Sequence, residues 1–187
     1  MYPMMSSQEE PEIYNKAPGK KDLALINILG GLTYGYCTAI ASGATTGIEA
    51  DWGSISPLMS CLISASIILG AGIGSLTGGL IADRIGRQKS AIIMSSGVVL
   101  FSLIQAVAPD MPVLLIARTC LGFFVGLISV VCPLYVSEAS PVESRGFLGS
   151  FFQVSITLGI VCAYVAGYVI RPAIVYPIIS WRTMFGL

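Results

Sequence analysis

Gly79-Leu80-Ile81-Ala82-Asp83-Arg84-Ile85-Gly86-Arg87-Gln88-Lys89 is the stretch on which the reading of this chain turns. Before it, the thirty residues from Gly53 to Ala82 carry no charge, and after it Ser90 to Pro109 supplies twenty more. Apolar spans of that length read as membrane helices, and so short a connection makes them an antiparallel hairpin. Three cations and one anion crowd into Asp83–Lys89. Lys and Arg accumulate in cytoplasmic loops, so the hairpin tip is expected to face the cytoplasm. Gly86 permits a turn through positive φ, and Asp83 can pair with a neighbouring arginine or cap a facing helix N-terminus.

Composition points the same way. Hydrophobic residues make up 55% of the chain and charged residues 11%, against roughly 25% charged in a soluble domain. The 21 glycines suit close packing of membrane helices. Zero net charge and the absence of histidine remove support for nucleic-acid binding and for a histidine metal site. All five cysteines (Cys37, Cys61, Cys120, Cys132, Cys162) fall in apolar spans and read as small packing residues rather than a disulfide framework or metal site. No nucleophile–base pair or phosphate-cradling loop is present, so neither an enzyme nor a cofactor is expected.

Outward from the hairpin, the pattern gives helices at about 23–48, 54–82, 90–109, 111–136 and 146–170, with a sixth starting near Trp181. The expected fold is an all-α polytopic membrane protein of five transmembrane helices plus the start of a sixth. Residues 1–21 read as a polar cytoplasmic tail, and 22–187 as one incomplete six-helix unit. Glu49 and Asp51 are expected in an outer loop, Asp110 and Pro112 in an outer turn, and Ser137–Arg145 in an inner loop. The tail and inner loops hold seven Lys and Arg, whereas the outer segments hold only Arg171 and Arg182. That bias places the N-terminus inside.

Small residues recur every fourth position on three helices: Ser66, Gly70, Gly74, Gly78 and Ala82; Gly31, Gly35, Ala39 and Gly43; and Ser155, Gly159, Ala163 and Gly167. Such stripes let another backbone approach closely. The fifth helix has a second face, Gln153, Thr157, Ile160 and Tyr164, roughly 200° from its stripe. A polar amide there calls for water or a ligand, the alternative being a hydrogen bond to another helix.

Two motifs narrow the reading. G-x-x-x-D-R-x-G-R at Gly79–Arg87 resembles the signature loop of the major facilitator superfamily, with Gln88 where a second basic residue is usual. Pro133-Leu134-Tyr135-Val136-Ser137-Glu138-Ala139-Ser140-Pro141-Val142-Glu143-Ser144-Arg145-Gly146 resembles the P-x-x-x-S-E-x-x-P-x-x-x-R-G pattern of the sugar porters. Gly35-Tyr36, Ser42-Gly43, Arg118-x-x-x-Gly122, Gly149-Ser150-x-x-Gln153 and Trp181-Arg182-x-Met184-Phe185-Gly186 follow in the family's order, so the resemblance covers residues 23–187.

The resemblance implies a transporter of a hexose-like, glucose-like monosaccharide, working by alternating access between two six-helix halves. This chain corresponds to the N-terminal half, with the lipid bilayer and a missing C-terminal half as partners and the plasma membrane as the expected location. Gln153 is the implied sugar ligand, with Ile156, Thr157 and Ile160 beside it; an amide can bond adjacent hydroxyls without the desolvation cost of a charge. Asp83, Arg84, Arg87, Glu138 and Arg145 are the implied inner latch. Many proton-coupled relatives carry G-Y-D in helix one, facing the helix-four arginine, where this chain has Gly35-Tyr36-Cys37. Cys37 lies ~21 Å and Arg118 ~20 Å from the inner side at 1.5 Å per residue in a ~30 Å layer. A thiol of ordinary pKa ~8.5 is no substitute for the acid, so Cys37 and Arg118 mark a coupling position without a proton carrier. Facilitated diffusion is therefore expected over proton symport. A non-transporting sugar sensor, or a half that modulates full-length transporters, is the alternative.

Overall fold

The computed structural model describes residues 19–173 and 177–186. Its helices are α1 (Lys20–Trp52), α2 (Pro57–Ile85), α3 (Arg87–Ala106), α4 (Met111–Ala139), α5 (Arg145–Ala173) and α6 (Pro177–Gly186), with a 3-10 turn at Val142–Ser144. Five of them, α1 to α5, are long and apolar enough to cross a membrane. The fold is thus the all-helical polytopic one expected from the sequence.

Boundaries follow local chemistry. Ser56 caps α2, its hydroxyl accepting the Met59 N–H at 3.4 Å, and Pro57 occupies the first turn, where its missing N–H costs nothing. Gly86 alone links α2 to α3. It sits at φ +91°, donates its N–H to the Ala82 carbonyl and accepts from the Ser90 N–H, both at 3.0 Å. A side chain at that φ would be strained.

The charged connections are shorter than the sequence suggested. Asp83 and Arg84 belong to the last turn of α2, and Arg87, Gln88 and Lys89 to the first turn of α3. Glu49 and Asp51 lie on α1, not in a loop; the connection is 53–56. Lys20 and Lys21 open α1 rather than closing the tail, and residues 1–18 lie outside the described residues. Ser137 and Glu138 still belong to α4, α3 stops at Ala106, and α6 starts at Pro177 rather than near Trp181. Charge marks where a helix leaves the hydrocarbon, not where it ends. The 33 residues of α1 make ~50 Å of helix, more than a ~30 Å layer needs.

Two parallel helix pairs carry the packing. Along α2 against α4, a Cβ on Gly70 would meet the Thr119 carbonyl, and one on Gly74 the Phe123 carbonyl; reciprocally, one on Gly122 would meet the Ile67 carbonyl and one on Gly126 that of Ala71. Along α1 against α5, Gly31 faces the Phe152 carbonyl, Gly35 that of Ile156, and Gly159 that of Leu32. A Cβ on Gly43 would lie 3.4 Å from the Gly167 Cα. The stripes of α1 and α5 therefore meet each other. The α2 stripe meets a Gly122-x-x-x-Gly126 pair on α4.

Three apolar layers stack along the bundle. Leu23, Val136 and Leu148 lie near the Gly86 end, Ile67, Met94, Leu121 and Val125 in the middle, and Ile48, Ile63, Leu114 and Trp181 near the Trp52 end. Helix α6 runs antiparallel to α1 and also packs against α3. The Tyr36 hydroxyl donates to the Met184 carbonyl at 3.1 Å.

Gly35→Ala should lower stability by about 1–3 kcal/mol through overpacking against α5. Gly72→Ala, where nothing lies within 4 Å of an added Cβ, should be neutral or stabilising by up to about 1 kcal/mol. Thermal unfolding in detergent micelles compares the two. Equal losses would show that backbone proximity is not what Gly35 supplies.

Candidate functional site

The deepest charge is Arg118 on α4, which is fully buried. Its Nε donates to the Ile63 carbonyl of α2 at 3.0 Å, and its Nη1 to the Gln105 Oε1 of α3 at 3.3 Å. The guanidinium carbon stands 5.0 Å from the centre of the Phe185 ring of α6, a cation–π contact. Its Nη2 is buried and, among the described residues, has no hydrogen-bond partner. Arg118 and Cys37 line one cavity of about 480 Å³, together with Tyr36, Gln105 and Phe185. Among the described residues, no Asp or Glu lines it.

A second cluster lies at the Gly86 end. Arg87 forms a fork on Glu138, with Nε to Oε2 at 3.0 Å and Nη2 to Oε1 at 2.9 Å. The same Nη2 is 2.8 Å from Asp83 Oδ1, one helical turn back across Gly86. The arginine side chain is 20% exposed, Glu138 48% and Asp83 63%, so water competes for these bonds. Such pairs contribute about 0–1 kcal/mol each. Arg84 and Arg145 are exposed and, among the described residues, form no ion pair. Three of the five latch residues named from the sequence are thus joined here, and two stand apart.

The third set lies on α5. Gln153 and Thr157 are exposed, while Ile156 and Ile160 are half-buried where α5 meets Gly35 of α1. The Thr157 hydroxyl is turned back to the Gln153 carbonyl at 3.2 Å. None of these four lines the Arg118 cavity. Gln153 and Thr157 form a surface facing away from the bundle core, separate from the Cys37–Arg118 region.

Among known proteins, the family described as "Sugar (and other) transporter" matches residues 23–187. The chain belongs to that family. It is 41% identical over 164 residues to the mouse solute carrier family 2, facilitated glucose transporter member 10, covering 87% of this chain and 30% of the relative. It is 35% identical over 166 residues to the glucose transporter GlcP of Staphylococcus epidermidis, covering 87% and 35%. The inward-open xylose transporter XylE of E. coli superposes with a TM-score of 0.79 at 28% identity, over 90% of this chain and 44% of that one. The proton:xylose symporter XylE bound to 6-bromo-6-deoxy-D-glucose gives 0.82 at 27% identity, over 89% and 41%. The chain spans about a third of the length of these curated relatives. As a sugar transporter family member with a major facilitator fold, it has membrane transporters for relatives, not enzymes.

Some groups at these sites were not singled out from the sequence. Gln105 is an amide inside an uncharged span, the same signal that Gln153 carries. Asn27 is another: it is fully buried and donates to the Leu148 carbonyl of α5 at 3.0 Å. Asp51 is the third, a clasp at the Trp52 end. It accepts the Trp181 indole N–H at 3.2 Å and lies 4.0 Å from Arg182 Nη2. Arg182 in turn stacks on Trp181 at 4.7 Å and reaches the Ala106 carbonyl at 3.5 Å.

Asp51→Ala strands the buried indole N–H and should cost about 1–3 kcal/mol. It should also shift tryptophan emission, because Trp52 and Trp181 stack edge-on at 5.2 Å beside it. Unchanged unfolding and emission would remove the clasp.

Proposed function

We propose that this chain is the N-terminal half of a facilitated monosaccharide transporter of glucose-like substrate preference, with its N-terminus cytoplasmic. Sugar transport is supported by family membership across residues 23–187 and by relatives named as glucose and inositol transporters. In this reading Gln153 is the sugar ligand of the half, with Ile156, Thr157 and Ile160 shaping the site. Its exposure on α5 is what a surface meeting substrate and a second half needs. Arg87, Asp83 and Glu138 hold the inner ends of α2, α3 and α4 together in one state and separate in the other. Arg84 and Arg145 are free to pair in a different state.

Facilitated diffusion rests on one observation. Arg118 is fully buried, yet both its hydrogen-bond partners are neutral, and Cys37 stands on the cavity wall where proton-coupled relatives carry an acid. Proton relays within membranes are built from ionisable groups of suitable pKa, above all carboxylates. Every Asp and Glu among the described residues lies within a few residues of a helix end.

In the full-length transporter, uptake should equilibrate and not accumulate, whatever pH gradient is imposed. Accumulation that collapses with a protonophore would overturn this. Cys37→Asp should introduce pH dependence. Glu138→Gln should slow turnover severalfold at equal surface abundance; parental turnover would exclude the latch.

A further inference from the structure

We propose that the cavity beside Arg118 binds a small inorganic anion, chloride being the representative ion. A guanidinium stays charged in any protein setting, and this one has no access to solvent. Burying an uncompensated charge is among the costliest things a fold can do. The groups that hold Arg118 offer two neutral oxygens, from Ile63 and Gln105, and the π face of Phe185. Dipoles orient the cation but leave its net charge unbalanced. One terminal nitrogen, Nη2, keeps its donors unused.

Among the described residues, no carboxylate stands ready to neutralise it. Asp51, near the same end of the bundle, is already committed to Trp181 and Arg182. The space, however, is available. The cavity of about 480 Å³ has Arg118 in its wall and holds far more than the about 30 Å³ that a water molecule takes in the liquid; Nη2 itself is covered, so the side chain turns toward the cavity when the ion binds. Its wall adds neutral groups able to donate to an anion, the Cys37 thiol and the Ser102 hydroxyl. A sugar hydroxyl could bond to Nη2 but would leave the charge uncompensated, which is why the site favours an ion. This proposal concerns only residues of this chain and does not depend on the transport reading.

The test is chlorine NMR of sodium chloride solutions containing the 187-residue chain in nanodiscs of zwitterionic phosphatidylcholine. The chloride line should broaden relative to empty nanodiscs, and iodide should reverse the broadening. Arg118→Gln should abolish it. Gln105→Glu should abolish it too, by supplying a carboxylate to the guanidinium, and it adds a partner rather than removing one. Circular dichroism verifies that each variant keeps its helix content, and if Arg118→Gln does not fold, Gln105→Glu decides. A parent line no broader than that of empty nanodiscs would overturn the proposal. So would broadening that persists in folded Gln105→Glu.

Discussion

The constraint on which this bundle depends is that apolar helices gain nothing from the hydrophobic effect by leaving lipid for one another. Association has to come from contacts that lipid tails cannot match. Here those contacts are backbone against backbone. Gly70 and Gly74 accept α4 carbonyls where side chains would stand, Gly122 and Gly126 return the favour to α2, and Gly31, Gly35 and Gly159 repeat the arrangement between α1 and α5. Dispersion is individually small, but it sums along two long interfaces without the gaps that bulky side chains would leave.

Two glued pairs leave the remaining elements to be held by other means. Helix α3 is tied to α2 through a single glycine and to α4 by the buried Arg118–Gln105 hydrogen bond, by Phe124 against Gly97 and, at the Gly86 end, by the Arg87–Glu138 fork. Helix α6 is tied to α1 through Tyr36 and Asp51. These attachments differ in kind from the glycine seams. The fork is wet and weak, and a few tenths of a kcal/mol either way can open it. A bundle built this way has firm pairs inside and wetter, weaker bonds at the Gly86 end.

Much of this was legible in one sequence because the physics is local. Gly86 announced its turn, since positive φ between two apolar spans is a one-residue matter. The small-residue stripes announced packing faces, since period four is visible in any helix. What the sequence could not reveal was pairing. Nothing in Ser66-to-Ala82 says that its mate is the Gly122–Gly126 face, because that depends on how all the helices are arranged. Helix ends are hard to read for a different reason: Glu49, Asp51 and Asp83 look like loop residues because they are charged, whereas charge reports the water boundary and a helix crosses it freely. Gln105 and Asn27 were legible in principle. Each is a polar amide in an apolar span, the same chemistry as Gln153, but neither stands in a motif that draws the eye.

Gln153 and Gln105 show why residue type alone cannot assign a role inside a membrane helix. Both are amides in helices long enough to span a bilayer. Gln105 is buried, with its carbonyl oxygen spent on Arg118, so its acceptor is absorbed by the fold. Gln153 is exposed on α5 beside a threonine whose hydroxyl is already turned inward to the helix backbone. The first amide answers a charge that the fold itself buries. The second is left with donors and an acceptor that nothing among the described residues satisfies, and in a membrane that demand has to be met by water, a ligand or another helix.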